Sequence, residues 1–360
     1  LSPPEPVRYL RKPCQPLRYG RGAAHPRAWV FVELLRQQDI PAVLLATAAD
    51  EQGPYEFWAV AVEVDGSWLV FDPEIGLPIP NDRGETASLA ELVQHPQWLA
   101  DLSVETAEGE TLEYDVDANR LEHLRAWIVA DPLQLTHRVD LLEQALEGEA
   151  FVQLTARIAP LAKRLAARSE IDSARLWTRP FEVIRQQQTF NQEVRREAGS
   201  AFAPFAAHPL LWKARVLHFQ VMKEPPPGLR GSLLAPVRDG HLDAIRAYAD
   251  KEVRPPDRTL ADRDPSRPVV DRAAKDHAGY WLGLLLYDLG KYESAQRWLD
   301  DRTLAARPDG PWTPGARYNL ARVLAARGEV EEAVELLEQT PADAAERLGN
   351  LLLARRLEAG

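Results

Sequence analysis

The sequence predicts an α+β protein: a helix with an antiparallel sheet, then a small α/β region, then an all-α helical array. Three observations support this prediction. A helical pattern near the N-terminus is followed by β-rich segments, strand signals disappear after Pro204, and a glycine-containing pattern recurs near the C-terminus. The corresponding domains are expected at residues 1–120, 121–205 and 206–360, with the repeat clearest over residues 276–360.

The first helix is predicted from Pro26 to Gln38, because proline suits a first helical turn and apolar residues then recur at helical spacing. The apolar positions expected to be buried are Ala28, Trp29, Phe31, Val32, Leu34 and Leu35. Strands are expected from Ala42 to Ala46, Phe57 to Val64 and Trp68 to Phe71. Asp65-Gly66 is a strong signal for a two-residue hairpin turn. Five prolines within residues 1–18 predict an extended arm ahead of this helix.

The middle of the chain alternates short strand and helix patterns, which indicates a small α/β layer. Strands are expected at Thr111 to Val116, Trp127 to Val129, Phe151 to Leu154 and Arg175 to Trp177. Helices are expected at Asn119 to Leu124, Leu135 to Leu146 and Leu161 to Arg168. The proline-rich segment from Glu224 to Gly231 is predicted to be a linker to the helical region.

A sequence pattern occurs twice in the C-terminal region. The first copy consists of Leu282-Gly283, Leu286, Leu289-Gly290, Tyr292, Ala295 and Leu299. The second consists of Leu320-Ala321, Leu324, Arg327-Gly328, Ala333 and Leu337. This pattern resembles the tetratricopeptide unit, a pair of antiparallel helices. The resemblance implies close helix–helix approach at Gly283 and Ala295, helix ends at Gly290 and Gly328, and a third helix beginning near Leu348.

A second resemblance lies near the N-terminus, in the run RGAAHPRAWVF from Arg21 to Phe31 and in Ile40-Pro41-Ala42. These segments resemble the core motif of transglutaminase-like domains, which have a papain-like fold. That family places a nucleophilic cysteine at a helix N-terminus, where unpaired N–H groups and the helix dipole stabilise a thiolate. Ungapped counting puts that position at Ala24.

The segment from Trp58 to Pro73 resembles the strand pair that carries the family's histidine and aspartate. Its alignment puts the histidine position at Ala59, or at Phe57 or Trp58 if the hairpin slips, and the aspartate at Asp72. Only Asp72 retains a catalytic residue type, so the resemblance implies a pseudo-enzyme. Asp72 is expected to have a structural role, accepting backbone N–H bonds where the chain leaves its strand.

Other residues do not supply the missing chemistry. Cys14, the single cysteine, falls in the proline-rich arm with no base nearby and is interpreted as an inert thiol. His25, beside Ala24, is interpreted as a residue of the helix start. The histidines lack the close spacing typical of a zinc site, so no metal or cofactor is expected.

Composition restricts the possible partners. A net charge of −11 argues against nucleic acid. The longest apolar runs fall short of the roughly 20 residues that a membrane helix needs, which argues against membrane insertion. The chain begins at Leu1 rather than methionine, as is typical of a truncated or processed N-terminus, so its localisation is left open.

The sequence therefore predicts a soluble, bacterial, non-catalytic interaction or scaffold protein, with a protein or peptide partner bound through the helical repeats. One alternative is a hydrolase or acyltransferase with an unrecognised active site, centred on His25 and Asp72. Another is a purely structural role within a larger assembly.

Overall fold

The computed structural model describes residues 12–106, 109–146, 152–188, 192–219, 240–255 and 267–359. It divides into two compact units, Leu1–Asn191 and Gln192–Gly360. The segment Glu224 to Gly231, predicted to be a linker, lies outside the described residues.

The first unit is built on a six-stranded sheet in the order β4-β3-β2-β1-β7-β8. The strands of the first unit are β1 Ala42–Thr47, β2 Glu56–Val64, β3 Ser67–Asp72, β4 Leu77–Pro78, β5 Val104–Glu105, β6 Thr111–Leu112, β7 Leu124–Ile128 and β8 Ser173–Leu176. Its helices are α1 Cys14–Tyr19, α2 Ala24–Arg36, α3 Leu89–Gln94, α4 Gln97–Ala100, α5 Ala118–Leu121, α6 His137–Ala145, α7 Ile158–Leu165 and α8 Arg179–Gln188, with a 3₁₀ turn at Pro132–Leu135. Strands β5 and β6 form a separate two-stranded sheet.

The sheet is mixed, whereas the sequence analysis predicted an antiparallel sheet. Strand β1 pairs antiparallel with both β2 and β7, but β7 and β8 pair parallel. Strands β7 and β8 come from the segment predicted to be a separate α/β region, so this sheet continues past residue 120. The parallel pair is possible because α6 and α7 lie between β7 and β8 in the chain and provide the long crossover that parallel strands need.

The hairpin predicted at Asp65-Gly66 is confirmed. Asp65 has φ of 49° and Gly66 has φ of 80°, which is the pair of left-handed conformations that a tight hairpin turn requires. Val64 therefore pairs with Ser67, and the register continues to Val60 and Phe71.

Helix α2 packs on the sheet and forms the core of the first unit. Trp29 is 1% exposed, and its ring meets that of Trp177 edge-on at a centroid distance of 5.4 Å. Phe31 is half-buried and packs edge-on against Phe71 at 5.6 Å. Burial of Trp29 is confirmed, but Leu34 is 52% exposed because it lies on the solvent face of α2.

Several local predictions are wrong. The strand predicted from Thr111 to Val116 is observed only over Thr111–Leu112, and the helix predicted from Asn119 to Leu124 is observed at Ala118–Leu121, with Leu124 already in β7. The arm predicted to be extended is helical over Cys14–Tyr19, because Pro13 and Pro16 fall before and within the first turn, where an absent N–H breaks no helical bond. The strand predicted from Phe151 to Leu154 has irregular backbone over residues 152–154, and Phe151 is outside the described part. Here the Leu154 N–H donates to Glu143 Oε2 at 2.6 Å, so a side chain replaces a strand partner.

The described residues of the second unit form helices joined by turns and loops, with no strand among them. Its helices are α9 Gln192–Ala207, α10 Pro209–Phe219, α11 Gly240–Ala249, α12 Arg267–Asp288, α13 Tyr292–Leu299, α14 Thr313–Ala326, α15 Val330–Glu338 and α16 Arg347–Glu358. Helix α12 packs against α13, and α14 packs against α15. By the tetratricopeptide resemblance, α12, α14 and α16 are A helices and α13 and α15 are B helices. A π-helical turn, Asp300–Leu304, lengthens the connection between the two pairs.

Both predicted helix ends and the predicted close approach are observed. Gly290 and Gly328 have φ of 68° and 84°, so each follows an A helix in the left-handed conformation that favours glycine. A Cβ added to Gly283 would lie 2.8 Å from the Leu299 side chain, which leaves room for no larger residue. Ala295 is fully buried in the same helix pair.

Candidate functional site

The position predicted for a cysteine, Ala24, is the first residue of α2. Its N-cap residue, Ala23, contributes no side-chain hydrogen bond, so the first N–H groups of the helix are not capped by that residue. The methyl group of Ala24 is half-buried and offers no nucleophile at this end of the helix.

The position predicted for a histidine, Ala59, lies on the face of the sheet away from α2. In the pairing of β1 with β2, Leu45 lies opposite Ala59, but the next residue, Ala46, lies opposite Phe57. Trp58 is therefore the extra residue of a β-bulge. Because Val60 and Phe57 pack against the core formed with α2, strand alternation turns Ala59 to the opposite face. Phe57 is thus the residue that β2 presents toward the start of α2.

Asp72, the last residue of β3, is buried at 4% exposure and fully engaged in hydrogen bonds. The Tyr114 hydroxyl donates to Asp72 Oδ2 at 2.6 Å, and the Trp58 indole N–H donates to the Tyr114 oxygen at 2.8 Å. The Glu74 N–H donates to Asp72 Oδ1 at 2.7 Å, which is the backbone bond expected where the chain leaves the strand. Burial raises the pKa of the Asp72 carboxyl to about 6, although these hydrogen bonds act in the opposite direction.

His25 lies on the other side of the sheet, next to the start of α2. Its ring contacts that of Phe57 at a centroid distance of 4.8 Å. Burial, with the nearby positive charge of Arg179, lowers the pKa of His25 to about 4, so the imidazole is neutral at neutral pH. Asp72 accepts hydrogen bonds from Tyr114, Glu74 and Ile75, and His25 is not one of these partners.

The predicted site residues lie on different elements of the first unit. Ala24 stands at the helix start, while Ala59 and Asp72 point to the far face of the sheet by strand alternation. Cys14 is exposed at the start of α1. The network of Trp58, Tyr114 and Asp72 was missed by sequence reasoning, because Tyr114 lies 42 residues from Asp72 in the chain.

A cluster on the A helices of the second unit was also missed. Arg322 of α14 lies over the ring of Tyr287 from α12, with its guanidinium carbon 5.0 Å from the ring centroid. The same guanidinium is 5.9 Å from the ring of Tyr318, and it donates to the Asn319 side chain at 3.2 Å. We call Tyr287, Tyr318 and Arg322 the A-helix surface; it joins two neighbouring A helices and exposes Arg322.

Charge divides between the helices of this pair. Helix α14 contains Arg317 and Arg322 and no acidic residue. Helix α15 contains four glutamates and no basic residue. The sequence already contains this separation of charge. It bears on binding only once α14 is assigned as an A helix and α15 as a B helix.

The C-terminal helices match a known family. The tetratricopeptide repeat model matches residues 277–301 and 314–339. Residues 277–339 carry tetratricopeptide repeats. The two matched segments coincide with the pairs α12–α13 and α14–α15, so the repeats predicted from sequence are confirmed, and they imply protein–protein interaction. Comparisons of the chain with curated proteins and with solved structures gave no match.

Two features are absent from the described ranges. None of their helices combines the length and apolar character needed to cross a membrane. Within the same ranges, no three histidine, cysteine, aspartate or glutamate side chains are grouped so as to hold a metal ion.

Proposed function

We propose that this chain is a non-catalytic interaction or scaffold protein that binds a protein segment on the A helices of its tetratricopeptide repeats. The observation that carries the proposal is the A-helix surface, where an exposed arginine lies over two tyrosine rings contributed by adjacent A helices. Aromatic and arginine side chains are enriched where proteins bind one another. The proposal is supported by the repeats themselves, which are helical pairs that build extended binding surfaces.

We further propose that the bound segment is acidic. Helix α14 carries arginines alone among its charged residues, whereas α15 carries four glutamates and no basic residue. Complementary charge would raise the association rate and orient the segment, while a basic segment would be repelled.

Selection from a random-peptide library on the immobilised full-length chain tests this proposal. We expect the selected peptides to be enriched in aspartate and glutamate, and Arg322→Glu to weaken their binding at least about tenfold, because it removes an attraction and adds a repulsion. The matched control is Glu338→Arg, which reverses an exposed charge on α15 and should change the dissociation constant by less than about twofold. Selected peptides that bind Arg322→Glu as tightly as the native chain would contradict the proposal.

For the first unit, we propose a degenerate transglutaminase-like domain without activity. In its support, α2 leads through Ile40-Pro41 into β1 and then into the hairpin of β2 and β3, the order that the sequence resemblance implies. Ala24 at the start of α2 offers no nucleophile, and Phe57, whose ring contacts that of His25, offers no base.

The alternative, a hydrolase or acyltransferase, predicts catalytic turnover, whereas our proposal predicts none. We expect the purified chain neither to cross-link amines to glutamine nor to cleave peptides, and Cys14→Ser to change nothing, because Cys14 is exposed at the start of a six-residue helix. Thioester trapping followed by mass spectrometry measures this directly. A covalent adduct on Cys14, or turnover that Cys14→Ser abolishes, would favour the enzyme.

A further inference from the structure

Helices α10 and α11 form a further helix pair ahead of the two matched repeats. They pack against each other, as α12 packs against α13, and α11 packs against α12, as α13 packs against α14. Helix α10 also contacts α12, as α12 contacts α14. This packing makes α10 an A helix and α11 a B helix, although the family model does not match them.

Side chains of α10 meet one flank of α12. Arg215 is 2% exposed, and its guanidinium carbon lies 3.4 Å from the ring centroid of Trp281. The His218 ring contacts the Trp281 ring at a centroid distance of 5.6 Å, and its Nε2 atom lies 3.9 Å from Asp288 Oδ2. Because Trp281 and Asp288 are seven residues apart, they lie on the same flank of α12, about two turns from each other.

The flank of α12 that meets α14 is a different one. The Asn319 side chain of α14 donates to the Tyr280 hydroxyl at 3.2 Å, and Arg322 lies over the Tyr287 ring. Half-buried Leu284 lies between the two flanks by helical rotation. Helices α10, α12 and α14 are therefore neighbours in that order, in one layer.

Phe219, the last residue of α10, lies on the open side of this layer. Its side chain is 49% exposed, and its ring centroid is 4.9 Å from the Arg215 guanidinium carbon. Buried Ala214 and Leu217 face the opposite direction, since they are rotated from Phe219 by roughly 140° and 160° about the helix axis. Phe219 thus adds an exposed aromatic ring to the A helices, beside the flank that meets α12.

The two ends of this layer favour different side chains. Arg322 places an exposed positive charge on α14. Beside Phe219, the Arg215 guanidinium is buried, whereas Asp288, whose side chain is 57% exposed, supplies a negative charge. Burial lowers the pKa of His218, so its neutral imidazole does not offset the Asp288 charge at neutral pH. An acidic side chain is therefore favoured at Arg322, and an apolar side chain at Phe219.

We propose that the partner segment also carries an apolar side chain, which packs on Phe219 about five or six residues from the acidic residue bound by Arg322. Packed helices are about 8–10 Å apart, so α10 and α14, with α12 between them, are about 16–20 Å apart. An extended segment advances about 3.3 Å per residue, which gives this separation. The spacing rests on the proposed function, because it is counted from the residue at Arg322.

Fluorescence anisotropy of the full-length chain with labelled synthetic peptides tests the spacing. Each peptide holds two aspartates and one leucine in a glycine–serine sequence, with the leucine six or two residues from the nearer aspartate, in either chain direction. We expect the better six-residue peptide to bind at least about fivefold more tightly than both two-residue peptides, because only the longer spacing reaches both contacts.

Phe219→Ser should remove this preference, so that the two spacings bind equally. The matched control is Leu242→Ser, which removes an apolar side chain that is 42% exposed on the B helix α11 and should change each dissociation constant by less than about twofold. The comparison of spacings uses the native chain alone, so it remains decisive even if Phe219→Ser fails to fold.

Equal affinity for the two spacings, a preference that survives in Phe219→Ser, or no binding of any peptide would each overturn the proposed contact at Phe219. Arg322→Glu separates this outcome from failure of the proposed function. If Arg322→Glu weakens binding while Phe219→Ser does not, the acidic partner stands without the apolar contact. If Arg322→Glu has no effect on peptides that bind the native chain, the proposed function itself is wrong.

Discussion

Replacing Trp29 with alanine is expected to destabilise the first unit by about 3–5 kcal/mol, the usual cost of truncating a buried aromatic residue. Trp29 is 1% exposed and packs edge-on against Trp177, and its indole N–H donates to Glu33 Oε1 at 3.2 Å. The substitution removes all three contributions and leaves a void beneath α2, between the helix and β1.

Leu34→Ala is the matched control, because it truncates an apolar residue of the same helix that is 52% exposed. It should change the free energy of unfolding by less than about 0.5 kcal/mol. The chain has two compact units, so hydrogen exchange of the β1 amides, rather than one melting temperature, measures the loss in the correct unit. If Trp29→Ala changes that protection no more than Leu34→Ala, the proposed core is wrong.

Features encoded by neighbouring residues could be predicted from the sequence. The Asp65-Gly66 turn needs positive φ at two consecutive positions. Aspartate followed by glycine is the local sequence signal for such a turn. The repeats are likewise local, because each pair of helices is continuous in sequence and ends at a glycine.

Features that depend on distant contacts could not be predicted. Strand β8 was recognised near Arg175, but its parallel pairing with β7 depends on a crossover that no local pattern specifies. The β-bulge at Trp58 affects the candidate site more than the parallel pairing of β8 does. It places Phe57, instead of Trp58, on the α2 face, whereas Ala59 faces away because it alternates with Val60. An ungapped alignment has no means of detecting the bulge.

The hydrogen bonds of Asp72 show the same limit. The sequence predicted a backbone partner, which the Glu74 N–H supplies, because that bond lies within one turn. Tyr114 comes from another part of the chain, and the burial that it completes changes the chemistry of the carboxyl.

The stability of the first unit should therefore depend on pH through Asp72. Its pKa is raised from 3.8 to about 6, so the folded chain retains a proton that the unfolded chain loses at lower pH. The stabilisation that this bound proton provides is fully present at pH values below the pKa of Asp72 in the unfolded chain. It is lost as the pH rises through the pKa of Asp72 in the folded chain. Over this pH interval, the free energy of unfolding of the native chain should fall by about 3 kcal/mol relative to that of Asp72→Asn, which cannot ionise.

Hydrogen exchange of the β1 amides in both chains, at pH values between about 4 and 7, measures this difference in the first unit. Asp65→Asn is the control for removing one negative charge, because asparagine tolerates the positive φ of that turn. Tyr114→Phe adds a check on the mechanism: without the hydroxyl that favours the ionised carboxylate, the transition should move to higher pH. Parallel pH profiles for the native chain and Asp72→Asn would mean that the carboxyl remains ionised in the folded protein, despite its burial.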